Sequence, residues 1–257
     1  MNAHQNSFKQ RLRAGELLDG LWLTLASPIV SEAVSLLGFD WLAFDMEHTP
    51  VDVSGLQPLL QSAAAGTASP VVRVAWNDPV TIKRVIDTGP QTILVPFVET
   101  EEDARRAVAA TRYPPQGIRG VAALTRASRF GLTYDYFEVA NREMCVLVQV
   151  ETAAAIDQLE SIATVEGVDG VFIGPSDLAA SLGHLGTPSH PDVQQVLKDA
   201  VRRILKSGTA PGILATNTED ALRYRDWGYR FLAGSLDIGL VISGARELLS
   251  TMRSTAP

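Results

Sequence analysis

An apolar run, Phe39-Asp40-Trp41-Leu42-Ala43-Phe44, breaks off in Asp45-Met46-Glu47-His48. Two carboxylates and an imidazole crowded at the carboxyl end of an interior-type strand are groups from which proton transfer or ion binding is built. A second pair stands further along. Glu151 and Asp177 each end an apolar run just before a helical segment, in Val148-Gln149-Val150-Glu151 and Ile173-Gly174-Pro175-Ser176-Asp177. Two carboxylates from adjacent strands suit a hard divalent cation that keeps several waters. Capping of the following helices is the other reading of the same two residues.

Two further side chains have a double reading. His48, followed by Thr49-Pro50, sits in a strand-end loop where it either exchanges protons with substrate or is simply exposed. Arg73, inside Val71-Val72-Arg73-Val74, needs a partner wherever it is buried: an interior acid, or an anionic substrate group held by its planar fork. The lysines are Lys9, Lys83, Lys198 and Lys206, all in the leader or in helical segments, so a Schiff-base amine at a strand end is not expected. Carbon–carbon chemistry here would need a metal as electron sink. Neither HExxH nor CxxC spacing occurs, which speaks against a zinc cage.

These groups need a scaffold that brings strand ends together. From Leu21 onward, short β-type runs alternate with longer helical ones. Eight strands are predicted: Leu21 to Ala26, Trp41 to Glu47, Pro70 to Ala75, Thr92 to Val98, Met144 to Glu151, Gly170 to Gly174, Pro211 to Ala215 and Arg230 to Ala233. Ser27-Pro28, Asn77-Asp78-Pro79, Thr100-Glu101-Glu102-Asp103 and Thr218-Glu219-Asp220 read as helix starts, and Gly38, Gly89, Gly208 and Gly228 as helix ends. Eight βα pairs in 257 residues without a composition break, and without a GxGxxG or GxxxxGK[ST] loop, predict one α/β domain over residues 1–257, a (β/α)8 barrel. In that fold the chemistry lies at the carboxyl ends of the strands. The rule selects Trp22, Asp45, Glu47, His48, Arg73, Gln149, Glu151, Ser176 and Asp177. Two long connections are also singled out: Tyr113 to Gly131, with Arg119, Arg126 and Arg129, and Leu182 to Pro191.

Composition limits the partners. A formal net charge of −7 without a Lys/Arg-rich run excludes an electrostatic footprint for nucleic acid or an anionic membrane, leaving small-molecule chemistry. The single cysteine, Cys145, lies in the apolar run Met144-Cys145-Val146-Leu147-Val148 and reads as a packed thiol, consistent with a reducing cytoplasm. The first twenty residues mix Lys9, Arg11, Arg13, Glu16 and Asp19, so neither a signal peptide nor a membrane span is expected there.

Several runs together resemble one family: Gly38-Phe39-Asp40-Trp41-Leu42 with Asp45-Met46-Glu47-His48, Trp76-Asn77-Asp78-Pro79, Gln91-Thr92-Ile93-Leu94-Val95-Pro96, Arg112-Tyr113-Pro114-Pro115-Gln116-Gly117-Ile118-Arg119-Gly120, and Gly167-Val168-Asp169-Gly170-Val171-Phe172-Ile173-Gly174-Pro175-Ser176-Asp177-Leu178. They are similar to the HpcH/HpaI aldolases, metal-dependent pyruvate aldolases on a TIM barrel of the phosphoenolpyruvate/pyruvate superfamily type. The family's namesake cleaves 4-hydroxy-2-oxoheptane-1,7-dioate to pyruvate and succinate semialdehyde in aromatic catabolism. The resemblance extends from about Asn6 to Leu249.

The resemblance implies reversible cleavage of a 4-hydroxy-2-oxo acid to pyruvate and an aldehyde, through an enolate held by Mg2+, Mn2+ or Co2+ and with no organic cofactor. It makes Glu151 and Asp177 the metal ligands, His48 the acid/base group and Arg73 the binder of the pyruvyl carboxylate or keto oxygen. Asp87, in Val85-Ile86-Asp87-Thr88-Gly89, matches an aspartate that pairs with the histidine. A barrel would hold Asp87 at its far end, so that pairing is expected across a subunit contact. Gln149, Gly174, Pro175 and Ser176 are expected against substrate, and Trp22 and Leu214 along the aldehyde pocket. Asp45 and Glu47 would orient metal-bound water and the histidine, and Met46 replaces a common glycine. The family's assembly implies a homohexamer, a trimer of dimers exchanging the last helix, a part the apolar segment Ile238 to Leu249 fits. Competing readings are a citrate-lyase-like enzyme acting on an acyl-CoA thioester and a non-catalytic oxo-acid binding protein.

Overall fold

The computed structural model describes residues 5–254. Eight parallel strands pair in sequence order and β8 closes on β1: β1 (Leu18–Leu23), β2 (Trp41–Asp45), β3 (Ser69–Arg73), β4 (Thr92–Val95), β5 (Cys145–Val150), β6 (Gly170–Ile173), β7 (Ala210–Leu214) and β8 (Phe231–Leu236). The helices among them are α1 (Ser7–Arg13), α2 (Pro28–Ser35), α3 (Val53–Ala63), α4 (Pro79–Asp87), α5 (Glu101–Thr111), α6 (Tyr136–Glu143), α7 (Ala153–Asp157), α8 (Leu159–Ala163), α9 (Pro175–Ser181), α10 (Pro191–Lys206), α11 (Thr218–Trp227) and α12 (Asp237–Ser254). The expected (β/α)8 barrel is therefore present. Its boundary signals act as chemistry dictates: Ser27 and Asp78 cap α2 and α4 ahead of a first-turn proline, and Thr100 with Asp103 forms a capping box on α5. Gly38, Gly89, Gly208 and Gly228 all take positive φ where a helix hands over to a strand.

Alternation along the strands sorts side chains into two cores. Leu21, Leu42, Val72, Ile93, Val146, Val148, Val171 and Ile213 point out to meet the helices. Leu18, Trp22, Trp41, Ala43, Val71, Leu94, Cys145, Leu147, Phe172 and Phe231 point inward and fill the barrel. The thiol of Cys145 is fully buried there, which pushes its pKa well up and leaves it inert, as its apolar run predicts. Inward parity then carries straight up to the strand ends. Asp45 follows Trp41 and Ala43, Arg73 follows Val71, and Gln149 follows Cys145 and Leu147, so these polar side chains necessarily cap the apolar layers.

Some boundaries differ from expectation. β1 starts at Leu18, not Leu21, because Leu18 N donates to Arg230 O at 2.7 Å, while Thr24 to Ala26 leave the sheet. The hydrogen bonds of that region go to Asp237 instead, whose carboxylate accepts from Thr24 N (2.9 Å), Thr24 Oγ1 (2.7 Å) and Leu25 N (3.1 Å). β8 correspondingly runs on to Leu236. The leader contributes α1, whose Phe8 and Leu12 face one way at helical spacing and plug the barrel floor against Leu18, Trp41 and Phe231.

The two long connections part company. Leu182 to Pro191 follows β6 and α9 and so belongs to the strand-end face. Tyr113 to Gly131 lies between α5 and β5 and returns to the strand-start face. Arg119 is buried there against Asp87 at 2.8 Å, with its guanidinium 4.4 Å over the Tyr113 ring, and Arg126 donates to Thr88 O at 2.6 Å. Within one chain these arginines are far from the barrel mouth. Among the described residues no helix is long and apolar enough to cross a membrane. Beyond Asp237, α12 leaves Leu240, Val241, Ile242, Leu248, Leu249 and Met252 exposed.

Candidate active site

The site rests on a register relationship. Asp45 and Arg73, the last residues of β2 and β3, are direct partners in the parallel ladder and both point inward. Arg73 Nε donates to Asp45 Oδ1 at 2.9 Å and Arg73 Nη2 to Asp45 Oδ2 at 2.7 Å, a bidentate clasp. Beneath it the guanidinium lies 4.8 Å over the Trp22 ring, whose indole N–H also donates to Asp45 Oδ2 (3.4 Å). Burial alone would raise the Asp45 carboxyl; the Arg73 guanidinium overrides it and holds Asp45 below the usual carboxylate range. Trp22 is almost wholly buried against Phe172 and forms the floor under Arg73.

Asp45 also fixes the turn above it. Its Oδ1 accepts from Glu47 N at 3.0 Å and lies 3.5 Å from His48 N. The turn aims Glu47 inward, with Oε2 2.7 Å from Arg73 Nη1 in an ion pair whose angles are not those of a hydrogen bond. His48 is exposed on the rim, and its imidazole makes no hydrogen bond to another described residue.

On the opposite wall, Glu151 follows β5 and is buried. Its Oε1 accepts from Phe97 N at 2.9 Å and its Oε2 from Gln149 Nε2. It does not cap α7, since the Thr152 hydroxyl does that by accepting from Ala155 N. Asp177, in the first turn of α9, makes no capping hydrogen bond either. The capping reading of both carboxylates therefore fails. Gly174 makes the room: a Cβ there would sit 2.5 Å from Glu151 Oε2 and 3.2 Å from Gln149 Nε2. Pro175 starts α9, Ser176 is exposed beside Asp177, and Leu214 tops the apolar interior at the end of β7.

Electrostatics bind the two walls into one site. Burial lifts Glu151 to about 7, helped by the charges of Glu47 and Asp177 and opposed by the bonds from Gln149 and Phe97. Glu47 is likewise lifted to about 7, first by burial and then by Asp45 and Asp177, against the pull of Arg73. Glu47, Glu151 and Asp177 are thus three carboxylates within mutual repulsion, which a divalent cation would relieve. The carbonyl oxygen of Gln149 is buried with no hydrogen-bond partner among the described residues, a further hard oxygen beside them. An all-oxygen donor set of this kind fits Mg2+, Mn2+ or Co2+.

Asp87 is not brought to this site. As the last residue of α4 it lies at the strand-start end, paired with Arg119. One contributor escapes a reading of side-chain types. Phe97 adopts φ 51°, a left-handed conformation that turns its N–H onto Glu151, and its ring pairs with exposed Trp76 at 5.6 Å.

Comparison with known proteins shows the family. The HpcH/HpaI aldolase/citrate lyase model matches residues 19–244. A pyruvate aldolase of Rhizobium etli is 52% identical over 243 residues, 95% of this chain and 96% of the relative. A 5-keto-4-deoxy-D-glucarate aldolase of Salmonella arizonae is 48% identical over 248 residues, 96% and 97% of the two chains. The crystal structure of an HpcH/HpaI aldolase/citrate lyase family protein from Burkholderia cenocepacia superimposes with a TM-score of 0.94 at 44% identity, over 97% of this chain and 100% of the other. The chain belongs to the HpcH/HpaI aldolase/citrate lyase family and is by that membership an enzyme, a carbon–carbon lyase.

Proposed function

We propose that the protein is a class II pyruvate aldolase that reversibly cleaves a 4-hydroxy-2-oxo acid, with Glu151 and Asp177 holding Mg2+, Mn2+ or Co2+. The observation that carries this reading is the convergence of Glu47, Glu151 and Asp177 beside a guanidinium already clasped by Asp45. A cation held there would draw electron density from the keto oxygen of the substrate and so stabilise the enolate left by carbon–carbon cleavage.

The chain's own groups supply the rest. Arg73 cannot swing away, because Asp45 and the Trp22 ring fix its plane, so its N–H groups are pre-aimed at the substrate carboxylate or keto oxygen. Gln149 orients Glu151 through Nε2 and offers its free carbonyl oxygen to a substrate hydroxyl or water. His48, unencumbered on the rim, takes the 4-hydroxyl proton. The C3–C4 electron pair then passes to C2–C3 as the aldehyde leaves, and a proton delivered to C3 completes pyruvate. Gly174, Pro175 and Ser176 line the turn against which the oxo acid lies, and Leu214 faces the aldehyde half.

The relatives' names support an oxidised sugar acid such as 5-keto-4-deoxy-D-glucarate as the aldol, in preference to a substrate of aromatic catabolism. A homohexamer, a trimer of dimers with α12 exchanged, accounts for the exposed apolar face of that helix and would bring Asp87 of one subunit toward His48 of another. Buried, unpaired Cys145 is in keeping with a reducing cytoplasm. The test is pyruvate release from a panel containing 5-keto-4-deoxy-D-glucarate and 4-hydroxy-2-oxoheptane-1,7-dioate with each cation added. Release from at least one is expected; none from any member would overturn the assignment.

A further inference from the structure

On the strand-end face, outside the carboxylate site, lies a second group of ligating side chains. His184 and His190 belong to the connection after α9, and Asp192 to the first turn of α10. One ligand atom from each lies within 4.8 Å of the others. The two imidazoles stack with centroids 3.6 Å apart and planes 15° from parallel, so their in-plane lone pairs run side by side and one ring must tilt for both to meet on one ion. His184 Nε2 is 3.5 Å and His190 Nδ1 3.7 Å from the same oxygen, Asp192 Oδ2.

Those distances are too long for charge-assisted hydrogen bonds, which close to about 2.7–2.9 Å. They are close to what one ion demands. With metal–nitrogen and metal–oxygen bonds of about 2.0–2.2 Å, donors on a tetrahedral centre stand about 3.3–3.6 Å apart. Two of the three edges therefore already lie at or near coordination spacing. His190 Nδ1 accepts from Asp192 N at 3.3 Å, so this nitrogen carries a lone pair that caps the start of α10. An ion bound at Nδ1 would take the place of that cap bond. The frame is held by main-chain bonds from His184 N to Ala179 O (2.7 Å) and His190 N to Thr187 O (3.0 Å), and by Gln194 Nε2 to Pro188 O (2.8 Å). The start of α10 carries the positive end of a helix dipole, which the Asp192 carboxylate offsets for an incoming cation.

We infer that His184, His190 and Asp192 form a separate site for an imidazole-preferring divalent transition metal, with solvent completing the coordination. Two nitrogens and one oxygen favour Zn2+, Co2+, Ni2+ or Cu2+ over Mg2+, in contrast to the all-oxygen site at Glu151 and Asp177. Bound metal ties the connection after α9 to α10 and leaves the aldol site untouched.

The test is a Co2+ titration of the tag-free, full-length protein in excess Mg2+, read by visible absorption, because four-coordinate Co2+ with nitrogen ligands absorbs far more strongly than six-coordinate Co2+ among oxygens. The expected result is an intense band that saturates at one Co2+ per chain and is lost in both His184→Ala and His190→Ala. The band should persist in Glu151→Gln and His48→Ala, and the histidine variants should keep wild-type Mg2+-supported pyruvate release. Absence of the band, its survival in both histidine variants, or its loss in Glu151→Gln would overturn the inference. A protein inactive on every oxo acid that still shows the band would fault the aldolase reading and not this one.

Discussion

Arg73 and Asp45 meet through two parallel hydrogen bonds of 2.9 and 2.7 Å at the ends of neighbouring strands. The clasp orients the cation and at the same time removes the cost of burying it. Arg73→Lys keeps the charge and loses the fork, so kcat/KM for pyruvate release should fall by about 10² with the fold intact. Asp45→Ala leaves the guanidinium with Glu47 alone and should destabilise the protein by about 3 kcal/mol, read as a shift in the urea midpoint.

The bare backbone of Gly174 is what admits the Glu151 carboxylate. A Cβ added at this position would fall 2.5 Å from Glu151 Oε2 and 2.9 Å from the Glu151 Cβ. Gly174→Ala should therefore push Glu151 aside and weaken Mn2+ affinity by about 10–100-fold, measured calorimetrically, while the unfolding midpoint moves little.

His48 makes no side-chain hydrogen bond to another described residue, so removing its ring should cost chemistry and not stability. His48→Ala should lower kcat by about 10² to 10⁴ with an unchanged melting temperature.

The raised carboxyls give a pH signature in the metal-free protein. Glu47 and Glu151 titrate at about 7 when folded against an ordinary value of 4.5, so the folded state holds protons that the unfolded chain releases. Their favourable contribution is complete below about pH 4.5 and is lost as pH rises through about 7. In chelator, the melting temperature should fall between about pH 5 and about pH 8, by less in Glu151→Gln, and saturating Mg2+ should flatten the slope.

Much of the site is legible in the sequence because strand parity is strict. Once Trp41 and Ala43 point inward, Asp45 must follow, and the same rule delivers Arg73 and Gln149. Glu151 and Asp177 are legible as carboxylates ending apolar strands. β1 begins ahead of the expected Leu21 and takes in Gly20, where a Cβ would lie 2.2 Å from the Trp41 ring, so packing demands the glycine. The part of Phe97 is played by a backbone N–H in a left-handed conformation, which side-chain type does not encode. Trp22 sits where the strand-end rule puts it, but the rule does not show that its ring lies under Arg73. Loop length alone singles out the arginines of the long connection, whereas their position between α5 and β5 assigns them to the strand-start face.

The central claim is that Glu151 and Asp177 hold the cation on which aldol cleavage depends. Its most direct measurement is pyruvate release by the wild type, Glu151→Ala and Asp177→Ala, each after chelation and again with Mg2+ or Mn2+ restored. Activity should vanish in chelator, return with the cation in the wild type alone, and stay absent in both variants. Full wild-type turnover in a strong chelator, or cation-restored turnover in either variant, would contradict the account.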